Sequence, residues 1–262
     1  MPISTIRIGV GGWTYEPWRG LFYPKDLPHK RELEFASHHL TSIEVNGTFY
    51  RTQTADTFAK WHDETPDDFV FALKGPRYAT NRRVLAEAGT SIERFLNSGI
   101  LRLRDKLGPI NWQFQPTKQF DPDDFARFLR LLPASIEGRT IRHAVEVRHD
   151  SFRSAAFVAL ARAHKVAIVI AGDSDYPQIA DLTAPFVYCR IMGTKEDGYP
   201  DDALNRWVSC AREWKAGKSP KGLQTVDSAS GSAAKRDVFL YVISGFKARN
   251  PEVAMTMIER LG

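Results

Sequence analysis

The chain has 262 residues, 43% apolar and 26% charged, a composition that suits a substantial folded core and excludes a disordered or fibrous protein. Its 36 Lys and Arg side chains against 31 Asp and Glu give +5, which admits an anionic partner but falls short of the concentrated charge of a dedicated nucleic-acid binder. No apolar stretch approaches the roughly 18 residues of a membrane span, and Cys189 and Cys210 have no metal-ligand spacing, so the expectation is a cytoplasmic protein with free thiols and no membrane partner.

The first element is a strand over 6–11 (IRIGVG), with no signal-peptide pattern ahead of it. An aromatic loop with Trp13, Tyr15, Trp18, Phe22 and Tyr23 follows, and it reads as a packed lid ahead of a base-stacking platform. A helix over 30–39 leads to a strand over 41–46 (TSIEVN), and a helix over 53–64 to a strand over 68–74 (DFVFALK). The next helix spans 91–107, with Ser91 placed to cap it, and precedes a strand over 109–115 (PINWQFQ). Asp121-Pro122 opens a helix to 132, with Pro at the first helical position. The fifth strand, 142–148 (RHAVEVR), is followed by a helix over 151–164 and a sixth strand over 166–172 (VAIVIAG). Residues 173–184 contain Pro177 and are too short for a full helix. A strand over 185–191 (PFVYCRI), a helix over 201–216, a strand over 237–243 (DVFLYVI) and a helix over 247–261 complete the chain. The Gly-, Ser- and Lys-rich stretch 217–236 reads as a mobile helix-to-strand connection.

Eight strands alternating with helices predict parallel crossovers, and at this length an α/β protein of one TIM-like (β/α)8 barrel over 1–262. The competing open doubly wound sheet lacks its usual sequence support, because no G-x-G-x-x-G follows the first strand.

Side chains alternate along a strand, so apolar residues that meet the outer helices send their neighbours into the barrel. By this parity Glu44 and Asn46, Ala72 and Lys74, Asn111, Gln113 and Gln115, Glu146 and Arg148, and Tyr188 and Arg190 face inward. Gly9 and Gly11 also face inward, which opens room, and the eighth strand is ambiguous. Barrel interiors are normally filled by branched aliphatics. A polar set at the C-terminal ends of several strands therefore points to a site, against the alternative of a salt-bridged plug that pairs Glu44 with Lys74 and Glu146 with Arg148.

Six stretches, "IGVGGWTYEPWRGLFYP", "TSIEVNGTFYR", "FVFALKGPRYAT", "LGPINWQFQP", "HAVEVRHDSF" and "FVYCRIMG", occur in an order that resembles the YecE-like family, the domain of unknown function 72. The likeness runs from about Ile6 to Gly193 and fades beyond it. It implies a TIM-like barrel and supplies no established reaction. It carries over to Glu44, Asn46, Lys74, Gln113, Glu146, Arg148 and Arg190 of the polar set and adds Trp13, Tyr15, Phe49, Tyr50 and His149. Asn81, Met192 and Ser244 stand where the family often has His, His and Asn, which puts this member's substrate and activity in question.

Lys74, Arg148 and Arg190 outnumber Glu44 and Glu146, which favours a small phosphorylated or carboxylated ligand. The reading is acid/base hydrolysis or isomerisation, with Glu44, Glu146 and Lys74 as catalytic candidates. Asn46, Tyr50, Gln113, Arg148, His149, Arg190, Trp13 and Tyr15 are the substrate-binding candidates. A Schiff base on Lys74 ranks behind its use as an anion partner. Two carboxylates and His149 make a thin metal site, and no cofactor is required. A nucleic-acid-associated module and a non-catalytic binding barrel are the runners-up.

Overall fold

The computed structural model describes residues 5–227 and 234–262. All eight predicted strands form: β1 Ile6–Gly11, β2 Ser42–Val45, β3 Val70–Lys74, β4 Leu107–Gln113, β5 His143–Glu146, β7 Phe186–Ile191 and β8 Asp237–Val242, with β6 in two pieces, Ala167–Ile168 and Ile170–Gly172. Every neighbouring pair is parallel. β1 pairs with both β2 and β8. The first piece of β6 pairs with β5 and the second with β7. Between them the Val169 amide donates to the Val145 carbonyl at 2.9 Å, so the break lets one strand serve both neighbours and closes the ring.

The helices are α1 Glu32–His39, α2 Gly47–Tyr50, α3 Ala55–Asp63, α4 Arg77–Thr80, α5 Gly89–Leu96, α6 Pro122–Arg130, α7 Ala155–Ala163, α8 Asp201–Lys215 and α9 Asn250–Leu261. Asp121 caps α6 as expected, its carboxylate accepting from the amides of Asp123 and Asp124. No helix forms over 173–184, also as expected.

The predicted helix over 91–107 is wrong in detail. α5 starts two residues earlier and ends at Leu96, and a 3-10 segment covers Ile100–Lys106. Gly99, at φ 103°, makes the left-handed step between them. Ser91 therefore sits inside α5 and does not cap it, and its hydroxyl accepts from Arg82 at 3.1 Å. The short helices α2 and α4, and a two-residue antiparallel hairpin pairing Ser135–Ile136 with Arg139–Thr140, carry too few periodic residues to be read from pattern.

The parity assignments hold along the strands. Ile43, Val45, Phe71, Leu73, Ile110, Trp112, Val145, Val147 and Cys189 belong to the layer between strands and helices. A second, smaller cluster fills the barrel and includes Val70, Ala144, Phe186, Tyr188, Phe239 and Tyr241, which settles the eighth strand. Two expectations fail. β4 ends at Gln113, so Gln115 is exposed beyond it. The inward glycines of β1 open no room: a Cβ on Gly9 would lie 1.8 Å from the Ser42 carbonyl oxygen, and one on Gly11 would lie 2.7 Å from the Asn46 side-chain nitrogen. Glycine permits close strand approach there, and the Asn46 side chain occupies the remaining space.

Of the 217–236 connection, residues 228–233 lie outside the described residues. Ahead of them, the amides of Val226 and Asp227 donate to the Asp181 carboxylate at 2.8 and 2.9 Å. Among the described residues no helix is long and apolar enough to cross a membrane.

Candidate functional site

The barrel interior is layered along its axis. At the N-terminal end Phe186 and Phe239 meet edge to face at 6.1 Å. Above them Tyr188 and Tyr241 pack at 5.2 Å; the Tyr188 hydroxyl reaches up to Glu44 at 2.6 Å, and that of Tyr241 meets Ser42 at its own level at 2.8 Å. The tyrosines suit this boundary because each has an apolar body and a polar tip.

The next layer is ionic. Arg190 stands between two carboxylates, reaching Glu44 Oε1 at 3.0 Å and Glu146 Oε2 at 2.5 Å. All three side chains are at most 5% exposed. Asn111 adds a bond from its amide nitrogen to Glu146 at 3.2 Å. Burial alone would raise the Glu146 pKa, but Arg190, Arg148 and Lys74 together hold it down to about 2. Its carboxylate is ionised and fully engaged. The expected pairing of Glu146 with Arg148 exists, at 2.6 Å. The alternative pairing of Glu44 with Lys74 does not: Glu44 is taken by Arg190 and Tyr188, both projecting from β7 across the barrel.

At the mouth, three cations converge on one neutral atom. Gln113 Oε1 accepts from Lys74 Nζ at 2.6 Å, from Arg148 at 3.0 Å and from Arg190 at 3.5 Å. All three neighbours are obligate donors, so the amide oxygen must face them. Arg148 also donates to the Tyr176 hydroxyl at 3.2 Å and lies 4.3 Å from that ring's centroid. Lys74 Nζ sits 4.8 Å from the centre of the Phe49 ring and pairs with no carboxylate among the described residues. Burial, and then the Arg190 charge, lower its pKa from 10.5 to about 8, against the opposing pull of Glu44 and Glu146.

This placement has a measurable cost. A lysine whose folded pKa is lowered is destabilising wherever it is protonated in both states, and the penalty fades as pH rises from about 8 towards 10.5. Lys74→Met should therefore raise stability at neutral pH by about 1–3 kcal/mol. It should also flatten the rise in stability between those two pH values. Urea unfolding across the alkaline range measures both effects.

The structure gathers Glu44, Lys74, Gln113, Glu146, Arg148 and Arg190 into one network. It places the other candidates elsewhere. Asn46, Trp13 and Arg51 line a neighbouring groove of about 340 Å³, where Trp13 meets Trp61 at 5.1 Å. Tyr15 lies under the Lys247 ammonium at 4.2 Å. The loop around it is packed, with Trp18 and Tyr23 at most 1% exposed. Tyr50 is 60% exposed at the rim. His149 turns to its own chain, where its ring accepts from the Ser151 amide at 3.1 Å. Sequence reasoning missed Tyr176, which comes from an irregular segment with no periodic signal, and Ser42, whose hydroxyl is masked by its place at a strand start. Among the described residues no three His, Cys, Asp or Glu side chains stand together at metal-binding spacing.

Comparison with known proteins extends the likeness beyond Gly193. The family model described as "Protein of unknown function DUF72" matches residues 7–262, so the expected fading towards the C-terminus is corrected. UPF0759 protein YecE of Escherichia coli K12 is 27% identical over 150 residues, 56% of this chain and 50% of that protein. The match thus spans about half the length of YecE. UPF0759 protein YunF of Bacillus subtilis is 26% identical over 217 residues, covering 76% of this chain and 75% of YunF. A DUF72 family protein from Thermotoga maritima (TM1631) superposes with a TM-score of 0.76 at 19% identity, over 98% of this chain and 99% of that one. The structure of SacUVDE does so at 0.55 and 11% identity, over 98% and 99%. At such identities the superpositions establish the shared barrel alone. With the family model covering residues 7–262, the chain belongs to the DUF72 family.

Proposed function

We propose that the barrel mouth binds the phosphate or carboxylate group of an anionic substrate and turns it over by acid/base hydrolysis or isomerisation. The observation that supports this reading is the neutral Gln113 oxygen shared by Lys74, Arg148 and Arg190. Two carboxylates offset three cations, and one amide dipole is left to serve the remaining charge. An anion at that point would accept charge-assisted bonds that the amide cannot match.

On this reading the catalytic candidates divide the labour. Glu146, held ionised near pKa 2 and locked by two arginines, is poorly suited to carry a proton at neutral pH. Glu44 spends both oxygens on Arg190 and Tyr188. These two act as positioning residues that fix the guanidinium groups. Lys74, with a pKa of about 8, is the group able to deliver and recover a proton near neutrality.

Arg148→Ala tests the reading. It should weaken binding of inorganic phosphate, measured by calorimetry, by about 2 kcal/mol or more, because a charged hydrogen-bond donor is lost. Failure of phosphate, sulfate and simple carboxylates to bind the wild-type protein at millimolar concentration would instead support a salt-bridged plug.

A further inference from the structure

The rim beside the mouth carries a second feature that the pocket does not use. The segments that follow β2 and β3, residues 46–54 and 75–86, contain no Asp or Glu. They carry Arg51, Arg77, Arg82 and Arg83, next to Lys74 at the end of β3. None of these four arginines pairs with a carboxylate among the described residues, whereas Lys118, whose ammonium donates to the Arg83 carbonyl, does. Charge of one sign is therefore concentrated on one side of the mouth, although the whole chain has only a modest excess.

Two tyrosines interleave with these arginines. Tyr50 is 60% exposed and Tyr78 54% exposed, among the few large apolar side chains left open to solvent. The Arg77 guanidinium lies 5.9 Å from the centre of one ring and 5.8 Å from the other. The Tyr78 hydroxyl reaches the Tyr50 carbonyl at 3.5 Å, which ties α4 to α2. Tyr50 meets Phe49 edge to face at 5.2 Å, and Phe49 covers Lys74. A continuous run of rings and cations thus leads from the solvent rim to the pocket. The cost of leaving two large rings uncovered implies a partner with flat faces, and the unpaired arginines imply that it is a polyanion.

We infer that this rim binds single-stranded nucleic acid, with unpaired bases stacked on Tyr50 and Tyr78 and phosphates on Arg51, Arg77 and Arg83, while Arg82 braces the rim through the Tyr78 carbonyl and the Ser91 hydroxyl. The inference rests on the anion-pocket reading in one respect: it makes the phosphate taken by Lys74 and Arg148 one within the nucleotide chain. A single strand fits better than a duplex because only unpaired bases offer their faces to a ring. An acidic peptide would satisfy the arginines and leave the tyrosine faces without a partner.

The test is fluorescence anisotropy of the full chain with a short fluorescein-labelled oligothymidylate, a duplex of matched length, and a poly-glutamate peptide. The single strand should bind most tightly, and its affinity should fall steeply with salt. Replacing Tyr50 and Tyr78 by Ala should weaken it on the order of tenfold or more, as expected for loss of base stacking. Arg77→Ala should reduce the slope of log affinity against log salt by about 0.7. The tyrosines are exposed, so the unfolding midpoint should stay unchanged and binding of inorganic phosphate at the pocket should persist. Loss of phosphate binding in Arg148→Ala with the tyrosine effect intact would separate the two claims. The inference is overturned if the oligothymidylate fails to bind, if the duplex or the peptide binds as tightly, or if the double tyrosine variant binds it as the wild type does.

Discussion

Arg190→Met should lower the stability of the fold by about 3–5 kcal/mol, because it leaves the buried Glu44 and Glu146 carboxylates without their shared partner. The effect exceeds that expected at the rim of the site for a structural reason. Glu44 is 0% and Glu146 1% exposed, and water cannot replace the guanidinium. Arg148 still reaches Glu146, but only through Oε1, so Oε2 would be left with the Asn111 amide alone. Arg190→Lys should recover part of the loss, since an ammonium restores the charge without bridging both carboxylates at once. The pH dependence carries its own signature. Glu146 is held at about 2 in the folded protein, well below its ordinary 4.5, so its stabilising contribution is complete above about pH 4.5 and is lost as pH falls towards 2. Removing Arg190 removes the largest attraction that lowers this pKa. The variant should therefore lose less stability on acidification than the wild type, and their urea midpoints should draw together at low pH. A loss below about 1 kcal/mol at neutral pH would mean that the ionic layer is better solvated than its burial indicates.

The fold was legible in the sequence because parallel strands in a closed barrel are apolar on their helix-facing side and interrupted in a regular way. Val145 and Val147 set the orientation of Glu146 and Arg148, and Ile43 and Val45 that of Glu44. What parity cannot supply is partnership. It placed Lys74 and Glu44 on one interior face, but the distance from β2 to β7 across the barrel decides that Glu44 meets Arg190. Parity also fails where a strand stops, as it does for Gln115 past the end of β4, although Arg148 past the end of β5 still keeps its inward side. The break at Val169 was hidden for another reason: both pieces of β6 are equally apolar, and only the change of hydrogen-bonding partner separates them. The rim tyrosines were visible as residues but not as a pair, since Arg77 joins two loops that are distant in sequence.

Gln113→Glu should convert the mouth from an anion receptor into a satisfied salt-bridge network. The substitution keeps size and shape and places a carboxylate where Lys74, Arg148 and Arg190 converge. The local charge count then balances at three cations and three carboxylates. Gln113 is only partly buried, so the new charge keeps some hydration and its desolvation cost is moderate. Bonds between cations and a carboxylate replace bonds from the same cations to a neutral oxygen, and stability should rise by on the order of 2 kcal/mol. The same carboxylate would repel any anion approaching the site, so the gain in stability should come with a loss of binding. Such opposition separates a ligand site from a structural plug, because a plug already optimised for stability has nothing to gain from the extra charge. The deciding measurement is calorimetric titration of inorganic phosphate into wild type and Gln113→Glu, alongside urea unfolding of both. The account predicts phosphate binding to the wild type, at least a tenfold loss in the variant, and a higher unfolding midpoint for the variant. Equal phosphate affinity in the two proteins, or a variant less stable than the wild type, would contradict it.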